Sequence, residues 1–332
     1  MTLEEFLKQD KPEQFDMKKL MHDYYDAHQG KHQNNEAYQA MLIRTGAMKD
    51  KHGVALWYDY KTLDKEFKGR RFDCDSSNET NDLMDAVYAL LWWDKAAEWG
   101  ISKKTFGNDT MNSFATTFNA LMQKNDHKES YAAYDNATDM SKKVVDAYAE
   151  HTGYLGNFTL VPKGYNGYRG CSAALKDYWD LSLDALRRNR DEADWLEDRD
   201  MPFSRYINTF FLWDYVDETY HVRPLFAGHG PLLRLKDHIL PRCYEQRQVN
   251  EFEEFMSYAN KNIERRGIFM VAMLRIARAS ETDWKTIVHA LATSERLGTM
   301  EAVLTLLAKI ERLQDDTKAI LQDALNKLDP QK

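Results

Sequence analysis

Residues 252–279, FEEFMSYANKNIERRGIFMVAMLRIARA, hold apolar side chains at helical spacing, with a single interior glycine and no proline. The stretch reads as one long amphipathic helix, which must cover its apolar face with other elements. Beyond it the pattern stays helical to the end. Ser280 or Thr282 can cap DWKTIVHALATSERLG, and Thr299 can cap MEAVLTLLAKIERLQDDTKAILQDALNKL. Three consecutive helices with short turns predict a packed C-terminal bundle.

The rest of the chain is consistent with that class. Only 15 Gly and 7 Pro serve 332 residues, too little punctuation for the many tight turns of an all-β fold. FDMKKLMHDYYDAH and NNEAYQAMLIRTGAM read as helices in the first part. DLMDAVYALLWWDKAAEWG reads as another, with Gly100 as its stop. GNDTMNSFATTFNALM reads as a helix capped at Asn108 or Asp109, with Met111, Phe114, Phe118 and Leu121 on one face. In the second half, CSAALKDYWDLSLDALRRN and the aromatic SRYINTFFLWDYVDETYHVRPLF read as helices, and GHGP at 228–231 as a break. The expected fold is mainly α, a multi-helix domain with a small β element near 54–60 and 154–162. The regions would be 1–150, 151–249 and 250–332, or one compact domain.

Against this helical background, residues 151–170, HTGYLGNFTLVPKGYNGYRG, stand out. LGNFTLV is short, apolar and β-branched enough to be a strand, KGYNGYRG is turn-rich, and a helix follows. Strand, loop and helix in that order would bring Asn157, Asn166, Arg169 and Lys176 within reach of one another, with loop NH groups free to meet an anion. The alternative is structural: a small hairpin whose Gly and Asn serve turns and whose Tyr side chains pack.

The spacing L-G-N-x-T-L, with Asn166 nine positions after Asn157 and then a Lys on a following helix, resembles the second half of the HNH-type nuclease domain of modification-dependent restriction proteins. The resemblance implies a divalent metal and a scissile phosphate held by this segment. Asn157 would support the metal-and-base loop, Asn166 would fix the loop and Lys176 would sit near the phosphate. Apart from the resemblance, Arg169, a lone Arg between Tyr168 and Gly170, and Lys163 are candidate phosphate or ligand contacts. KNIERRGIFMVAML resembles the basic helix that often closes such domains. The family places an H-x-x-P element ahead of LGN. Here that element occurs only downstream, as His238 to Pro241, so His151 or His238 would supply the base. The strings DTMNSF, LGNF, YRG and DYWDL are also similar to a bacterial protein family that carries no assigned activity.

Other motifs point to structure first. Glu218 and His221 in DETYH have the E-x-x-H spacing of a di-iron helix, but there is no second copy. His28 and His32 have a zinc-compatible spacing with no Cys nearby, and a surface histidine pair is their default reading. DCDSSNET lacks the Gly and closing Glu of a calcium loop. KGRR at 68–71, RRNR at 187–190 and ERRG at 264–267 would form a nucleic-acid face only if the fold gathers them. A solvated mixed surface is their default reading.

Cys74, Cys171 and Cys243 are scattered and odd in number, the pattern of free thiols in a reducing compartment. With no signal-like start and no bilayer-length apolar run, a cytoplasmic protein off the membrane is expected. A net charge of −8 argues against a general nucleic-acid coat. Two functions remain. One is a nucleic-acid-directed, HNH-like phosphodiesterase-type protein, intact or degenerate, with a divalent metal as cofactor. The other is a non-catalytic helical interaction or structural protein, with a protein partner or homo-oligomer formed through its aromatic helices.

Overall fold

The computed structural model describes residues 1–17, 82–112, 143–144, 147–148, 150–165, 179–187, 195–196, 199–223, 246–295 and 297–328. Helices dominate among them: α1 Leu3–Leu7, α2 Asp82–Leu91, α3 Ala96–Trp99, α4 Trp179–Arg187, α5 Phe203–Thr209, α6 Gln246–Ala279, α7 Glu281–Thr293, α8 Met300–Ala308 and α9 Asp315–Leu328. Short 3-10 turns lie at Pro12–Gln14, Trp93–Lys95, Leu155–Asn157 and Trp213–Tyr215. Strands β1 Phe106–Thr110 and β2 Phe158–Pro162 pair antiparallel, from Phe106 opposite Pro162 to Thr110 opposite Phe158. None of the described helices is long and apolar enough to cross a membrane.

Helix α6 is the spine. Phe255, Ala259, Ile263, Met270 and Leu274 are all buried along it. It packs against α9, α7, α8, α2, the Pro12–Gln14 turn and the Leu155–Asn157 turn, so elements from all three sequence regions meet on one helix. Beside it lies an aromatic core in which Trp92, Trp99, Phe210, Phe211, Trp213, Phe269 and Trp284 have ring centroids 4.9–6.4 Å apart.

Local chemistry sets the boundaries. Gly100 stops α3 in the left-handed conformation, φ 69°. Ser280 accepts from the Asp283 amide to cap α7, and Thr299 accepts from the Ala302 amide to cap α8. The run after Thr299 is two helices, not one. Asp283, buried on α7, accepts from the Gln314 amide at 3.1 Å and from the Thr317 hydroxyl at 2.5 Å, so a side chain from another helix caps α9.

Three further expectations change. GNDT is strand β1 rather than a helix start, because each of its residues pairs with one of β2 and the chain runs extended. LGN itself is a 3-10 turn, and the strand begins one residue later, at Phe158. The aromatic helix ends at Thr209. INTFFLWDYV is apolar all round, so a continued helix would have no face to give to water; the chain turns at Phe211, φ 58°, and buries every ring. DETYH follows as an exposed turn closed by the Val216–Val222 bridge, which removes the helix that the E-x-x-H spacing required. The β element expected near 54–60, His28, His32, DCDSSNET, KGRR, GHGP and the cysteines lie outside the described residues.

Candidate functional site

The LGN turn is seated on the middle of α6 at a backbone-to-backbone crossing. A Cβ on Gly156 would lie 1.8 Å from the Ile263 carbonyl oxygen and 2.7 Å from the Gly267 nitrogen, so only glycine fits there. The interior glycine of α6 is the other half of this contact. A Cβ on Gly267 would meet the Glu13 Cβ and carbonyl oxygen at 3.3 Å, so the Pro12–Gln14 turn closes over the same point.

Arg266, fully buried, fastens the crossing. Its Nε donates to the Phe210 carbonyl at 2.9 Å, and Nη1 donates to the carbonyls of Gly156 at 2.7 Å and Phe158 at 2.6 Å. One guanidinium thus ties the LGN turn and the first residue of β2 to the end of α5. Burial pulls its pKa down, opposed by the neighbouring Tyr215, Tyr88 and Tyr206. A guanidinium still keeps its charge. Its neighbour Arg265 points elsewhere, donating from Nε to Asp214 at 2.6 Å and from Nη2 to Glu301 at 2.5 Å. The ERRG cluster is therefore neither a nucleic-acid face nor a solvated surface: Arg266 is inside and Arg265 is ion-paired.

Asn157 is fully buried and all its hydrogen-bonding positions are filled. Its Nδ2 donates to the carbonyls of Asn112 at 2.9 Å and Thr152 at 2.8 Å. Its Oδ1 accepts from the Asn112 amide at 2.9 Å and Asn112 Nδ2 at 3.2 Å, and its carbonyl accepts from Met111 at 2.8 Å. A side-chain amide has two donor hydrogens and two acceptor lone pairs, so nothing is left over for a metal or phosphate. The side chain locks the segment after β1 onto the LGN turn.

His151 precedes this turn, half-buried, with Nδ1 2.6 Å from the Ala147 carbonyl and its ring 4.7 Å from that of Tyr154. A ring nitrogen facing a carbonyl carries a proton, and in the neutral ring this leaves Nε2 as an acceptor. Lys163 is exposed just beyond β2, its amide bonded to the Thr105 carbonyl. Asn166, Arg169, Lys176 and His238 lie outside the described residues. Among the described residues, no three His, Cys, Asp or Glu side chains cluster to hold a metal.

Sequence reasoning took Arg266 only as part of the ERRG basic cluster and gave Asn112 no role. Arg266 had a signal: Ile263, Phe269 and Met270 stand three or four positions away on the same helix, so it lies within the apolar stripe. Asn112 had none, since its role comes from pairing with a residue 45 positions later. Comparison with family models, with curated proteins and with solved structures returned no match.

Proposed function

We propose that this is a non-catalytic helical protein of interaction or structural type, with the LGN segment as its internal brace. The observation that supports this reading is the filled set of bonds around Asn157, whose amide would have to abandon buried partners before it could touch a metal or phosphate. A partner surface on the described residues would be polar. Met1 and Leu306 are their only exposed large hydrophobic side chains, and the aromatic segment 207–216 is buried.

Thermal melting of the wild type and of Asn157→Ala, with Mg, Mn, Zn and short DNA or RNA, tests the reading. The substitution is expected to cost about 3 kcal/mol or more, equally with and without ligand, and the ligands to leave the wild-type Tm unchanged. A metal-dependent rise in Tm, or cleavage of either nucleic acid, would overturn it.

The HNH-like reading keeps one supporting observation, the contact of His151 Nδ1 with the Ala147 carbonyl. In a neutral ring that contact takes the Nδ1 proton and leaves Nε2 as an acceptor, the form a general base needs. On that reading His151→Ala abolishes cleavage in a protein that still folds, beyond the modest loss of Tm from its contacts with Ala147 and Tyr154.

A further inference from the structure

We draw no further inference here: the strongest candidate, the small cleft between α6 and α9 beside Glu13, has its rim cations Arg275 and Lys327 already drawn to Asp323, at 3.8 and 3.1 Å, and nothing in the structure shows what would occupy it.

Discussion

At the scale of single residues, Gly156 and Gly267 do most to fix the geometry, because the two backbones touch where a side chain would otherwise stand. The two positions should differ in severity. Gly156→Ala would drive a methyl into a helix carbonyl 1.8 Å away, with backbone and no flexible side chain to yield. It should cost more than about 4 kcal/mol, and the variant should fail to fold or unfold at much lower urea. Gly267→Ala meets Glu13 at 3.3 Å and should be milder, since the turn can shift by a few tenths of an ångström. Urea midpoints of the two variants check this order. In the sequence the two glycines stand apart, one at the start of an expected strand and one inside a helix. That they belong to a single contact depends on tertiary docking, which no local pattern encodes.

Among the elements, the helices were largely legible, because caps and stops such as Ser280, Thr299 and Gly100 act over a few residues. The departures occur where a distant group decides the local structure. GNDT carries good capping residues but is claimed by β2, some 50 positions later. The run after Thr299 is divided by Asp283, which serves α9 from another helix. Asp283→Ala should leave the Thr317 hydroxyl and the start of α9 without their acceptor and cost about 2 kcal/mol. Amide exchange should show the first turn of α9 losing protection before α6 does. Equal loss in both would indicate that the cap stabilises the whole bundle rather than its own helix. The Arg265 to Asp214 and Glu301 pairing is a second such link, fixing the Trp213–Tyr215 turn and the start of α8 to the spine. For the candidate site, Asn157 was conspicuous in the sequence, but its four internal bonds come from partners up to 45 residues away.

For the whole molecule, the resolved carboxylate shifts have one sign. Burial pushes Glu301 up, but its bond to Arg265 and the Arg265 charge outweigh that and hold it below the ordinary value of 4.5. Burial likewise raises Asp217, and bonds from Thr219 and His221 outweigh it. The Lys8 bond lowers Glu4, and the Thr2 bonds lower Glu5. A carboxyl group held low in the folded state binds fewer protons than in the unfolded chain. Its stabilisation is present above the unfolded pKa and disappears as pH falls through the folded one. The urea midpoint should therefore be flat near neutrality and drop between about pH 5 and pH 3, with Glu301→Gln removing part of the slope. A midpoint that rises on acidification would contradict the ion-pair geometry.

The buried guanidinium also orders events in time. Arg266 can shed its water only where carbonyls already wait, and those it uses belong to residues 56, 108 and 110 positions away along the chain. Such distant segments meet late, after local helices have formed, because closing long loops precedes the gain from contact. The helix that carries Arg266 can be assembled early, but its docking must await the LGN turn. The slow step of folding should therefore fall at the point where the Arg266 guanidinium goes under cover.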